Sequence, residues 1–194
     1  MDARIERTHE TLVASFIKLM AEKGFDNLRV ADLTDRAGCN RGTFYLHYKD
    51  KYDLLAQMED ELLQGLIARA RPFSPQRLRA KPTVDEPEPA VVDVFRYMDE
   101  HAAAFRVLLG PKGDPAFLSR LKALMRQNVY DQLAWFQAQG TQTPVPHDFL
   151  TAYLSSAHIG VIQHWLETGM KSSPEHMAVL MTRIARFWAS AAGS

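Results

Sequence analysis

Between Val30 and Lys51 the chain reads VADLTDRAGCNRGTFYLHYKDK, and this stretch constrains the fold more tightly than any other. Val30, Leu33 and Ala37 recur at the spacing of one helical face, while Asp32, Asp35 and Arg36 fall on the opposite side. Gly38 is a stop, because glycine enters a left-handed cap without a Cβ penalty. Asn40 is then an N-cap for a second short helix that starts Arg41, Gly42, Thr43. Two short helices joined by so tight a turn make a helix-turn-helix, in which the first turn of the second helix enters a DNA major groove and presents side chains to base edges. Phe44 is expected to point into a small three-helix core, with Cys39 a small apolar residue in the turn.

The flanking segments are also helical. Ile5, Thr8, Leu12, Phe16, Leu19 and Met20 define one face from Arg4 to Glu22, Gly24 stops that helix, and Phe25 plugs the corner. Asp50 caps a fourth helix from Lys51 to Ala70, roughly 30 Å long. Prolines 72, 75, 82, 87 and 89, interleaved with Arg77, Arg79 and Lys81, predict a mobile loop or, alternatively, a basic arm along phosphates. Helical spacing returns from Ala90 to Leu109, with a joint near 100–103, and again from Ala116 to Gln139. In the segment His147 to Thr168, the stripe Leu150, Leu154, Ala157, Val161 and Trp165 is widened by Phe149, Tyr153, Ile162 and Leu166, which predicts burial on more than one side. Ser173-Pro174 starts a last helix striped by Met177, Leu180, Met181, Ile184, Phe187 and Trp188. No strand pattern or internal repeat stands out. The expected fold class is all-α: an N-terminal three-helix helix-turn-helix DNA-binding domain over 1–50, with the motif itself at about 29–48, and a larger helical bundle over 51–194 for ligand binding and dimerisation.

Composition decides between function classes. With 23 basic and 23 acidic side chains the net charge is zero, so indiscriminate polyanion binding is excluded and any DNA affinity must be local. Even residues 1–53 carry nine basic and nine acidic side chains, so affinity has to come from how the charges are arranged. The single cysteine excludes an internal disulfide or a Cys-pair metal site. The N-terminus lacks an export-signal pattern and no run approaches a membrane span, so a cytoplasmic location without a membrane partner is expected. His158 and His164 stand about 240° apart around a helix and cannot share a metal unaided. His101, His147 and His176 lie near helix ends, where capping or solvation is the expected use. With no phosphate loop, nucleophile elbow or paired carboxylates, no catalytic residue, metal site or cofactor is assigned, and an enzyme is not expected.

The order of Gly24-Phe25, Val30, Asp32-Leu33, Ala37-Gly38, Arg41-Gly42-Thr43-Phe44-Tyr45, Tyr48-Lys49 and Lys51 resembles the TetR family of bacterial transcriptional regulators over roughly Ile5 to Leu55. The tail WLETGMKSSPEHM is similar to the C-terminal domains of some members. The resemblance implies a homodimer that pairs its last two helices in a four-helix bundle, binds double-stranded DNA at a pseudo-palindromic operator, and encloses a pocket for a small-molecule effector. It implies that Arg41, Gly42 and Thr43 take the base-reading and groove-approach positions, that Asn40 belongs to the DNA-binding set, that Tyr45 and His47 face DNA, and that Tyr48 and Lys51 meet phosphate. Spacing alone leaves Tyr45 and Tyr48 divided between core packing and an outward role, and leaves His47 open. Where members carry a threonine pair before the valine that opens helix 2, this chain has Leu28 and Arg29, so a charge-assisted contact from Arg29 replaces the hydroxyl contact. Candidate pocket residues are Met98, Phe105, Met125, Tyr130, Trp135, Phe136, Tyr153, His158 and Trp165. The expected function is therefore a DNA-binding regulator, most simply a repressor released by a ligand; the alternative is a helical small-molecule carrier of the same fold that does not bind DNA.

Overall fold

The computed structural model describes residues 3–71, 74–76, 86–111, 113–141 and 143–191, with side chains described except at 3–6, 186 and 188–191. Nine helices are defined among the described residues: α1 (Ala3–Lys23), α2 (Val30–Ala37), α3 (Arg41–His47), α4 (Lys51–Ala70), α5 (Pro89–Glu100), α6 (Ala102–Leu109), α7 (Pro115–Ala138), α8 (His147–Glu167) and α9 (Pro174–Ala191). No strand occurs among the described residues, and none of the helices is long and apolar enough to cross a membrane. The fold class is all-α, as the helical spacing predicts. The expected loop or arm from Arg71 to Pro89 lies largely outside the described residues, Arg77, Arg79 and Lys81 included.

Contacts divide the chain into two compact units, one of residues 1–64 and 103–117, the other of 65–102 and 118–194. The cut differs from a boundary at residue 50, because α4 gives its first fourteen residues to one unit and Gly65–Ala70 to the other. In the first unit Leu12, Phe16 and Met20 of α1, Leu33 of α2, Phe44 of α3 and Leu54 of α4 are fully buried, as are Phe105 and Phe117. Phe25 fills the corner after α1, edge-on to Phe16 and Tyr52. The turn between α2 and α3 depends on Gly38, whose φ of 64° lies in the left-handed region and whose amide donates to the carbonyl of Asp35. Arg36 ties α2 to α1 through a two-pronged ion pair with Glu22, at 2.7 and 2.8 Å.

In the second unit α5 lies along α9, joined by Arg96 and Glu175 at 2.8 Å, and Phe95 meets Trp165 of α8 edge to face. The buried row of α8 is Thr151, Ser155, Ile159, Ile162, Trp165 and Leu166. This corrects the expected stripe: of its members only Trp165 is buried, Leu150, Leu154 and Val161 are half-buried, and Ala157 is exposed, as are the flanking Phe149 and Tyr153. The reason is local. Thr151 and Ser155 hydroxyls donate to the carbonyls of His147 and Ala152, which lets two polar side chains face the core without loss of a hydrogen bond.

Candidate nucleic-acid interface

The entry to α2 is built by an acid three residues into the turn. The carboxylate of Asp32 accepts from the Arg29 amide at 2.8 Å and from the Lys23 ammonium, and these hydrogen bonds hold it below the usual aspartate range. Leu28 is buried and completes the core of the first unit. The Arg29 side chain is exposed at the N-terminal end of α2, where an extended backbone precedes the helix.

Helix α3 has a clear register. Asn40 caps it, its Oδ1 accepting from the Thr43 amide at 2.8 Å and from the Thr43 hydroxyl at 3.1 Å. Phe44 and Tyr48, four residues apart, form the inward row. The row Arg41 and Tyr45 and the row Gly42 and Leu46 are exposed, while Thr43 and His47 are half-buried between them. A Cβ on Gly42 would come within 3.1 Å of Asn40 Oδ1, so glycine there protects the cap as well as leaving the face low. Leu46, 86% exposed, is the outward residue that sequence reasoning missed, although its position one turn after Gly42 marks it. A bare leucine on this face is suited to a thymine methyl group.

Of the expected phosphate contacts, Tyr48 is buried and Lys51 half-buried. Tyr48 is 2% exposed and its hydroxyl is engaged by Nδ1 of His9 at 2.6 Å, so the phenol is not presented to solvent. Lys51 donates to the carbonyls of Phe25 and Asp26 at 3.0 and 3.1 Å, and its ammonium sits 4.6 Å from the centre of the Phe25 ring. It thereby holds the corner between α1 and α2 to the start of α4. Arg29, Asn40, Arg41, Gly42 and Tyr45 are exposed, and Lys49 adds an exposed cation.

The balanced charge of the head resolves into pairs. Glu22 is held below its ordinary pKa by its bond to Arg36, and Asp53 by the Lys49 amide and Gln57. Asp50 accepts from the amides of Tyr52 and Asp53, capping α4. These acids serve caps and ion pairs, whereas no ion pair is recorded for Arg29, Arg41 or Lys49 among the described residues. Local arrangement can therefore supply an anion-facing surface without a net charge. Cys39 is half-buried in the turn, and burial pushes its thiol up, away from reactivity.

The second unit contains a cavity of about 150 Å³. Met98, Met125 and His158 line it, as the sequence suggests. The other expected pocket residues lie elsewhere. Phe105 packs on Phe117 in the first unit, Trp135 pairs with Phe136, and Trp165 is spent on Phe95 and on a bond from Nε1 to the Ser172 carbonyl. Tyr130 and Tyr153 are exposed, Tyr130 lying edge-on to His147. The polar groups on the cavity wall are Glu88, Asn128, Gln132, His158 and Thr182, which helical spacing alone does not pick out. Among the described residues no group of three or more His, Cys, Asp or Glu side chains is placed to hold a metal ion.

Comparison with known proteins agrees with this geometry. Residues 13–58 match the family described as bacterial regulatory proteins, tetR family, and residues 85–187 match a transcriptional regulator C-terminal region. The chain is 25% identical over 130 residues to the HTH-type transcriptional regulator CymR of Pseudomonas putida, covering 64% of this chain and 63% of that protein. It is 33% identical over 108 residues to an HTH-type transcriptional regulator of Haemophilus influenzae, covering 54% and 50%. The chain thus spans less than two thirds of either relative. The crystal structure of a TetR transcriptional regulator from Streptococcus agalactiae superposes with a TM-score of 0.63 at 25% identity, over 100% of this chain and 97% of that one.

Proposed function

This chain belongs to the bacterial TetR family of transcriptional regulators, and from that premise we propose that it is a cytoplasmic repressor released from a pseudo-palindromic operator by a small molecule. A homodimer presents two copies of α3 to successive major grooves, about 34 Å apart. Arg41 bonds a guanine edge, Gly42 allows close approach, and Thr43, Tyr45 and Leu46 complete the base-facing surface. Arg29 and Lys49 meet phosphate from either side. Lys51 and Tyr48 act by fixing the corner and the end of α3 against the core.

The observation that carries the regulatory half is the course of α4. Its first residue, Lys51, binds the corner carbonyls of the helix-turn-helix unit, and its last turns place Leu66 and Ala70 on the cavity wall. A ligand that binds one position of α4 better than another shifts the spacing of the two α3 helices by that difference in affinity. Dimerisation is supported by the outward apolar residues Phe149 and Tyr153 on α8 and Phe187 on α9.

Selection of genomic fragments by the purified protein tests the reading. A repressor enriches a two-fold symmetric motif, whereas a carrier of the same fold enriches none.

A further inference from the structure

The cavity wall is apolar over most of its extent, with Leu66, Val94, Phe95, Met98, Leu121 and Ile162 among its members. Its volume, about 150 Å³, is that of a dry apolar cavity that accepts one benzene ring.

The polar groups on the wall have a bias. Thr182 donates its hydroxyl to the Ala178 carbonyl at 2.8 Å, so its oxygen can only accept from a ligand. His158 places Nδ1 2.6 Å from the Leu154 carbonyl. A carbonyl cannot donate, so Nδ1 carries the hydrogen, and in the neutral ring Nε2 keeps its lone pair. Burial favours that neutral ring. Asn128 accepts from the Gln132 amide through Oδ1, which leaves its own amide N–H groups to donate to the oxygen of a ligand. Glu88 is a further buried and already engaged group on the wall, and the acceptors, His158 Nε2 and the Thr182 oxygen, would meet a carboxylate ligand unfavourably. A cationic ligand would surrender its hydration against apolar walls.

We propose that this cavity takes a neutral, one-ring molecule bearing a hydroxyl group, a phenol in chemical class, which donates that hydroxyl to Nε2 of His158. The proposal rests on the ligand-released reading above and names the ligand class for the same site. A ring fills the apolar volume, and the hydroxyl supplies the donor that His158 and Thr182 lack.

Calorimetric titration of the full-length protein with 4-methylphenol, toluene, 4-methylanisole and 4-methylbenzoate tests it. 4-Methylphenol should bind about tenfold tighter than toluene or the ether, the worth of one hydrogen bond, and the benzoate should bind least. His158→Leu should bring 4-methylphenol down to the toluene level while toluene itself still binds, which shows the cavity intact. His158→Gln, which restores an acceptor, should recover part of the loss. Equal binding of the phenol and its ether, preference for the benzoate, or unchanged phenol binding by His158→Leu overturns the assignment. If fragment selection yields no operator but 4-methylphenol binds as stated, the repressor reading fails and the cavity assignment stands. If an operator is found and 4-methylphenol does not bind, the cavity assignment fails and the regulator reading stands.

Discussion

The hydroxyl of Tyr48 lies 2.6 Å from Nδ1 of His9, joining the end of α3 to α1 across 39 residues of sequence. Burial, and next the charge of Glu61, push the phenol well above its ordinary pKa, so it stays protonated beside His9. The other ring nitrogen of His9 faces Glu61 at 3.8 Å. A residue that motif matching assigns to phosphate thus fixes the angle at which α3 leaves the core.

Tyr48→Phe should cost about 1 kcal/mol of stability, the net worth of one hydrogen bond, and should weaken all DNA binding without altering sequence preference. Denaturant melts and a binding series on operator variants read both. A change in preferred sequence would instead give the phenol a direct reading role.

Gly65 of α4 leaves room for the Tyr97 side chain of α5. A Cβ there would lie 2.2 Å from the Tyr97 ring and hydroxyl, and Arg69 covers the same ring at 3.9 Å. Although alanine is the better helix former by about 1 kcal/mol, Gly65→Ala should destabilise by about 1–3 kcal/mol through overpacking. In a Tyr97→Ala background the same change should become neutral or stabilising. Denaturant midpoints of the four proteins decide, and additivity would disprove the clash.

His158 sets a pH dependence. Because burial depresses its folded pKa, the unfolded chain takes up a proton as pH falls through about 6.5 while the folded chain does not. Stability should therefore be unaffected by this group above that value and fall progressively below it, down to the lower folded pKa. Glu88 is the other titratable side chain on the cavity wall. Melts from pH 8 to pH 5 should show a shallower acid loss for His158→Gln than for the wild type, and coincident curves would mean the folded imidazole is not held neutral.

Phe187, 68% exposed on α9, should anchor the dimer. Phe187→Glu is expected to weaken association by about 2 kcal/mol or more, measured by sedimentation equilibrium. A wild-type monomer, or a variant that dimerises as well, would remove α9 from the interface.

Helix positions were legible because they depend on local signals: Gly38, Asn40, Asp50 and Ser173-Pro174 each act within a few residues of the end they define. The outward rows of α3 were legible for the same reason, apart from Leu46, whose apolar character pointed the wrong way. The partners that Tyr48 and Lys51 meet, His9 and the Phe25 and Asp26 carbonyls, were not legible because they are distant in sequence. The cavity was least legible. Its polar residues sit on several helices, and α8 buries Thr151 and Ser155 while turning Phe149 and Tyr153 outward, so hydrophobic spacing found Ile162, Trp165 and Leu166 but not the polar part of the buried row.

Exposed α3 is expected to read sequence through Arg41. The most direct measurement compares wild type and Arg41→Ala on the selected operator and on unrelated DNA across a salt series. Arg41→Ala should lose about 1–3 kcal/mol on the operator and much less on unrelated DNA, so that the specificity ratio falls. An unchanged ratio, or equal loss on both DNAs, would contradict it.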